Sequence, residues 1–368
     1  MDRAEATVLF AGGGTGGTVG PGIAIAERLL EDRPALDIRF LCSDRSVDRR
    51  LLDPDGWTST ATPARSPSIR PRAGLSFLKG WWGTRRIVGR ILAENPGRTR
   101  VVALGGFVAP PVVAEAVRRR CPVDLVNLDA VAGRANRWVA RRATRVFSAV
   151  PTDLELDRDP VGVPLRRVAL ASATAGEARQ ALGLDRERRT LLVTGASQGA
   201  RSIDRFIREF LVGGDADWTG WQVLHLAGGE VESLQAAYET AGVPAVVLPF
   251  LDRMGLAWAA SDLAISRGGA SSVAEIAASR TPAIIVPYPW HADRHQARNA
   301  AALEGVGAIE VGLDPVTGEE ASRALAASLR GLLADPGEIA RRREVFPASP
   351  EDAAKLLAEA ILHGLDPV

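Results

Sequence analysis

The sequence predicts an α/β protein with two Rossmann-like, parallel-sheet halves facing each other across a cleft. Two glycine-rich loops and a repeated strand–helix alternation predict it. The first loop is Gly12-Gly13-Gly14-Thr15-Gly16-Gly17, after the apolar run Val8-Leu9-Phe10. The second is Gly195-Ala196-Ser197-Gln198-Gly199-Ala200, after Leu191-Leu192-Val193. They lie about half a chain apart in 368 residues, and each precedes a helical pattern. One such loop fits one nucleotide fold; two in equivalent places fit two halves of the same kind.

The elements follow in order. Short β-branched and apolar runs predict strands at Thr7–Phe10, Ile38–Cys42, Val101–Leu104, Val123–Val126 and Arg145–Ala149. Apolar residues at helical spacing predict helices at Ile23–Leu30, Phe77–Leu92, Val112–Arg119 and Asn136–Arg142. The second half repeats the scheme. Strands are expected at Leu191–Thr194, Gln222–Leu226, Ala245–Leu248, Leu263–Ser266, Ala283–Val286 and Ala308–Val311. Helices are expected at Ser202–Leu211, Val231–Thr240, Val273–Ala278 and Arg294–Leu303. Strand and helix in alternation imply parallel sheets with right-handed crossovers. Pro151 to Ala173 is rich in proline and charge without a period, and reads as the linker. The expected domains are 1–165 and 166–346, with an amphipathic C-terminal helix within 347–368 that could cross back onto the first.

Composition narrows the class. Apolar content of 46% and charged content of 24% fit a globular protein of two domains. A net charge of +1 supplies no field to recruit nucleic acid. Cys42 and Cys121 lack metal-ligand spacing and read as reduced core thiols of a cytosolic protein. No apolar run approaches the roughly 20 residues of a membrane span, and residues 1–10 carry no secretory signal pattern.

The loops point to phosphate chemistry. Glycines let main-chain N–H groups approach an anion, and the helix that follows adds a partial positive charge. Gly12, Gly14 and Gly17 satisfy G-x-G-x-x-G, and Asp44 lies where an acidic residue would hold the ribose of NAD, so an oxidoreductase is a distant alternative. Three further segments fall at strand ends in the second half, where ligands bind in such sheets. Pro249 to Met254 offers an aromatic and a turn to a flat base. Ser266 to Glu275 has capping-box spacing between Ser272 and Glu275, so a helix N-terminus suited to a diphosphate is expected, with Glu275 placed for a ribose diol. Pro287 to Gln296 supplies polar groups for sugar hydroxyls. His291, Asp293 and His295 are loop positions without a helical ligand register, so no metal is expected there. Asp215-Ala216-Asp217, in a loop bounded by Gly-Gly and Trp, reads as solvated turn chemistry.

Together these segments resemble the MurG family of glycosyltransferase family 28. The matching stretches are Gly13–Gly17, Leu104–Phe107, Ala132–Gly133 to Asn136–Trp138, Gly162–Arg166, Gly195–Arg201, Phe250–Met254, Arg267–Ala277 and Asp293–Asn299, across essentially the whole chain. The resemblance implies the GT-B fold. It also implies inverting transfer of N-acetylglucosamine from UDP-N-acetylglucosamine to lipid-linked muramyl-pentapeptide, with no metal or other cofactor. It assigns uracil to the Leu251 backbone beside Phe250 and Met254. Ser197, Gln198, Ala270, Ser271 and Ser272 would hold the diphosphate, Glu275 the ribose, Gln296 with His295 the sugar, and Arg166 would also face the donor. Thr15, Gly16, Gly17 and Thr18 would form the acceptor-side loop.

The departures from the family lie on the acceptor side. Thr18 replaces the loop's histidine, Phe107 a tyrosine, and Val126-Asn127-Leu128-Asp129 a His-Glu-Gln-Asn stretch. A threonine hydroxyl is no base near neutral pH, so Asp129 is the candidate catalytic base, or else a hydroxyl-binding group. The changes keep two alternatives open: the same donor used on another acceptor, or nucleotide-sugar binding without catalysis. Gly74 to Arg86 mixes apolar, aromatic and basic residues, and Leu75, Phe77, Leu78, Trp81, Trp82 and Arg85 are expected to meet a bilayer surface. A peripheral place on the cytoplasmic face of the bacterial inner membrane follows from the resemblance.

Overall fold

The structure is a computed structural model. It describes residues 6–14, 16–67, 71–195, 199–214, 216–291, 293–348 and 351–365. The chain forms two compact units, Met1–Arg166 with Pro350–Val368, and Arg167–Ser349.

The first unit runs β1 (Thr7–Ala11), α1 (Gly16–Asp32), β2 (Asp37–Cys42), α2 (Ser46–Leu52), β3 (Ser59–Ala61), α3 (Pro71–Glu94), β4 (Thr99–Ala103), α4 (Ala109–Arg118), β5 (Val123–Asn127), α5 (Arg134–Ala140) and β6 (Arg145–Ser148). Its sheet is parallel, with strand order β3-β2-β1-β4-β5-β6. β1, β4 and β5 are buried at every position because helices cover both faces.

The second unit runs α6 (Ala175–Ala181), β7 (Arg189–Thr194), α7 (Arg201–Gly213), β8 (Trp221–Leu226), α8 (Val231–Thr240), β9 (Ala245–Leu248), α9 (Met254–Ala260), β10 (Leu263–Ser266), α10 (Ala270–Ser279), β11 (Ala283–Ile285), α11 (His295–Gly305), β12 (Ile309–Val311), α12 (Glu319–Ala334) and α13 (Pro336–Glu344). Its sheet order, β12-β11-β10-β7-β8-β9, is the same topology read from the other edge. Each sheet therefore reverses direction at one point, between β1 and β4 and between β7 and β10. A crevice for ligand opens at such a switch point.

The last helix, α14 (Ala353–His363), belongs to the first unit. Arg28 of α1, 1% exposed, holds Asp352 at 3.1 Å, and Asp352 caps α14 through Ala354 N–H. Arg100 and Arg145 donate to the carbonyls of Gly364 and Ala360 at the helix's end. Both guanidiniums also grip buried Asp124, so strand charges complement the helix's negative end.

Several elements exceed the sequence reading. α1 begins at Gly16 rather than Ile23, because the buried stripe Val19, Ile23, Ala26 continues through Pro21. β3 and α2 lack apolar periodicity; three residues of β3 pair with Phe40–Cys42 and complete the edge. α12 carries a clear period, Ala321, Leu325, Leu329, Leu332, that lies after the last strand and so falls outside the alternation. Cys42 and Cys121 are free thiols, each pushed up to about 11 by burial. Among the described residues no helix is long and apolar enough to cross a membrane.

Candidate functional site

In the second unit the C-terminal ends of β7 and β10 converge at the switch point. Gly195 ends β7 where no side chain fits: a Cβ there would lie 2.1 Å from Ala200 N. Ala196, Ser197 and Gln198 lie outside the described residues. α10 opens three residues earlier than its capping-box spacing predicts. Its N-cap is Gly269, which has no side-chain cap, and the first helical bond runs from Val273 N–H to Gly269 C=O. The N–H groups of Ala270, Ser271 and Ser272 thus form an uncapped first turn. The Ser271 hydroxyl beside them is buried with no hydrogen-bond partner among the described residues. A donor-rich turn with an orphan hydroxyl is what a phosphate group satisfies.

Glu275 does not close a capping box. Its Oε2 accepts the indole N–H of Trp258 at 2.7 Å. Trp258, on α9 and 2% exposed, fixes the carboxylate one turn into α10. Sequence reasoning missed Trp258, which sits in an apolar helix and looks like packing. It also missed the lock behind the loops. Arg267 donates to Asp314 Oδ2 at 2.5 Å, to Ser202 Oγ at 2.8 Å and to Val286 C=O at 2.9 Å. Asp314 also accepts from Ser202 at 3.0 Å. This buried network ties the start of α7, the end of β10 and the segments after β11 and β12 into one rigid floor.

The other predicted donor contacts are placed as follows. Phe250 is exposed, while Leu251 and Met254 pack partly into the core beside it. Gln296 turns its Oε1 to Tyr288 N–H at 2.8 Å, which leaves its amide NH2 as the donor side. His295 pairs with Asp293 at 2.7 Å and stacks on His291 at 4.5 Å. The His295 bond holds the Asp293 carboxyl below the usual range. Among the described residues no group of three His, Cys, Asp or Glu gathers as metal ligands. Asp215 lies outside the described residues, and Asp217 caps Thr219 N–H in a turn.

Arg166, which the resemblance gives to the donor, is the boundary residue of the first unit, and its guanidinium pairs with Asp55 at 2.7 Å and lies 4.0 Å from Glu27. Two carboxylates of that unit hold it there.

In the first unit the loop after β1 meets the loop after β4. Thr15 lies outside the described residues. Gly14 has φ +93°, and a Cβ there would meet Phe107 at 2.6 Å. Asp48, fully buried on α2, accepts from Gly14 N–H at 2.9 Å and from Ser43 N–H and Oγ at 2.9 and 2.6 Å. Arg45 donates to Gly14 C=O at 2.8 Å. Both polar groups of Gly14 are therefore set from α2, in a charged run that carries no motif. Gly17 and half-buried Thr18 lie in the first turn of α1. Asp129 is half-buried, and its carbonyl accepts from Asn127 Nδ2 at 2.8 Å. Asn127, with no exposed surface, accepts from Asn136 at 3.0 Å and braces the Asp129 turn.

α3 corrects part of the predicted membrane face. Trp81 turns inward, edge-on to Trp138 at 6.0 Å, with Phe77 beside it. Arg85 binds buried Glu115 of α4 at 3.1 Å. Leu75, Leu78 and Trp82 are 63%, 52% and 56% exposed, and their spacing makes one stripe, with exposed Lys79 and Arg86 beside it.

The glycosyltransferase family 28 N-terminal domain matches residues 8–148, and the family's C-terminal domain matches 190–355. A UDP-N-acetylglucosamine–N-acetylmuramyl-(pentapeptide) pyrophosphoryl-undecaprenol N-acetylglucosamine transferase of Clavibacter sepedonicus is 36% identical, over 96% of this chain and 95% of that protein. One of the same description from a Nocardioides strain is 35% identical over 97% of each. The crystal structure of MurG from Acinetobacter baumannii superposes with a TM-score of 0.70 over 97% of this chain and 99% of that one, at 24% identity. It shares the fold, GT-B. With both domain matches in place and relatives above 30% identity across nearly the full length, the chain belongs to glycosyltransferase family 28, the MurG family.

Proposed function

We propose that this protein transfers N-acetylglucosamine from UDP-N-acetylglucosamine to lipid-linked muramyl-pentapeptide, the lipid I to lipid II step of peptidoglycan synthesis. Curated relatives over nearly its whole length carry that activity in their names. The observation that carries the donor half is the uncapped first turn of α10 with the orphan Ser271 hydroxyl, followed one turn on by the Trp258-held Glu275.

In this reading the diphosphate sits on the Ala270–Ser272 amides, with Ser197 and Gln198 beside it. The ribose diol binds Glu275, uracil meets the Leu251 backbone near Phe250 and Met254, and Gln296 with His295 reads the sugar. The acceptor hydroxyl oxygen bonds to the anomeric carbon, the bond to the diphosphate breaks, and UDP leaves with the electron pair. The helix end stabilises that charge in place of a cation. The hydroxyl proton passes to the Asp129 carboxylate. The Gly16–Thr18 turn and Asp129 face the acceptor. The exposed stripe of α3 supports peripheral contact with the bilayer that carries the acceptor, at its cytoplasmic face.

The test is transfer of radiolabelled sugar from UDP-N-acetylglucosamine to defined lipid I, with and without chelator. Transfer is expected in both, and Asp129→Asn should lower turnover by about 100-fold or more at unchanged donor affinity. Donor binding without release of UDP would mark a binding protein, and release only with another glycolipid would move the acceptor. Unchanged turnover in Asp129→Asn would remove it as base.

A further inference from the structure

The edge of the second unit's sheet opposite the donor loops carries a separate recess of about 340 Å³. Ligand pockets run from roughly 300 Å³ upward. The recess lies between the start of β7, the turn before β10, the end of α10 and the length of α13. α10 joins the two edges: its first turn faces the donor loops and its C-cap, Arg280, lines the recess. Ten residues of helix place them about 15 Å apart, so the recess is not part of the donor site.

Its walls are basic. Arg189, Arg280 and Arg343 line it. The Nε groups of Arg189 and Arg343 are buried and have no hydrogen-bond partner among the described residues. Arg189 lies over the Trp221 ring, its Cζ 5.3 Å from the centroid. Arg343 reaches the carbonyls of Ser261 and Asp262 only at 3.3 and 3.4 Å, through Nη2. Arg280 spends one nitrogen on the last carbonyls of α13 and holds that helix against the recess.

Two acidic groups share the lining, Asp262 and Glu344. Asp262 is already neutralised: its Oδ2 accepts from Arg179 and from Thr190 N–H, both at 2.8 Å. Glu344 is exposed at the rim. The balance at the recess is positive. Pro336, Ile339 and Ala340 of α13 give it one apolar wall. Guanidiniums that the protein's own acceptors leave largely unspent match a phosphoryl group, and the apolar residues beside them take a small organic body rather than a bare ion.

We propose that this recess is a second binding site, for a small soluble phosphate monoester, held by Arg189 and Arg343 with Arg280 at the rim. The site is independent of the donor reading.

The test is calorimetric titration of the full-length protein with phenyl phosphate at constant ionic strength, alone and with saturating UDP, against inorganic phosphate and sodium chloride. Saturable binding is expected, with or without UDP, and about threefold tighter for phenyl phosphate than for inorganic phosphate. Arg189→Met and Arg343→Met should each weaken it about fivefold or more, while UDP affinity and the thermal midpoint stay as in the wild type. Where a methionine variant fails to fold, Arg189→Lys or Arg343→Lys serves, since lysine keeps the charge and loses the two-pronged contact. Heat matched by chloride, binding abolished by UDP, equal affinity for the two phosphates, or variants that bind as wild type would each overturn the proposal. Failure of UDP to bind while phenyl phosphate still binds would sink the donor reading and leave this one standing.

Discussion

Trp258 and Glu275 meet through an indole N–H to carboxylate bond of 2.7 Å, linking α9 to the first turns of α10. A carboxylate on an exposed helix turn samples several rotamers. One held by a buried tryptophan presents its oxygens in a fixed direction, which a cis-diol requires. Trp258→Phe keeps an aromatic ring in the core, removes the donor and leaves a small void where the second ring was. It should weaken UDP binding about tenfold, as loss of a bond to a charged group does. It should also shrink the preference for UDP over 2′-deoxy-UDP. Titration of both nucleotides checks this; an unchanged preference would detach Glu275 from the ribose.

Asp48 should act on the acceptor side alone. It accepts from Gly14 and Ser43 and fixes a loop whose φ of +93° only glycine adopts readily. Asp48→Asn loses acceptor capacity at one oxygen and turns an N–H donor toward groups that also donate. The expected result is an acceptor KM raised about tenfold with the donor KM unchanged. Equal changes in both would mean a general loss of fold.

Much of this molecule was legible in its sequence, and the failures have physical causes. The strands of both sheets read clearly because helices bury them on both faces, so they appear as short apolar runs. β3 did not, since Ser59–Ala61 gains its strand character from pairing with β2. The ends of β7 and β10 were legible through their glycines and serines. Trp258, Asp48, and the Arg267–Asp314–Ser202 lock were not, because each acts across a long separation from a residue type common in ordinary packing or on surfaces. Ser272 and Glu275 have capping spacing, yet glycine took the cap and tertiary contact took the glutamate. The Trp81-Trp82 pair read as one membrane-facing unit, whereas neighbours on a helix point about 100° apart and only Trp82 faces out.

The α3 stripe gives a vesicle-binding prediction. Leu78→Ser with Trp82→Ser should lower co-sedimentation with anionic liposomes about tenfold or more, while Trp81→Phe should bind as wild type, its ring being packed on Trp138. Equal binding by the double variant would remove this face from membrane contact.

Glu115 gives a stability prediction. Bonds from Arg118, then Arg119 and Arg85, outweigh burial and lower its carboxyl from 4.5 to about 2. A carboxyl lowered in the folded state adds stability above its unfolded value and loses it as pH falls through the folded one. Glu115→Gln should therefore cost about 1–2 kcal/mol near pH 7, solvent screening of the half-exposed Arg118 reducing the full effect, and the gap should shrink by more than half at pH 3. Urea unfolding of both proteins at the two values checks it; a gap constant with pH would contradict it.

The most direct test of the central claim, that main-chain amides of α10 hold a uridine diphosphate without a cation, is calorimetric titration of UDP in the presence of EDTA. Saturable binding, unchanged on adding magnesium and lost in a variant with Ser271→Pro in the first turn of α10, is the predicted result. No binding, or binding only when magnesium or manganese is supplied, would contradict it.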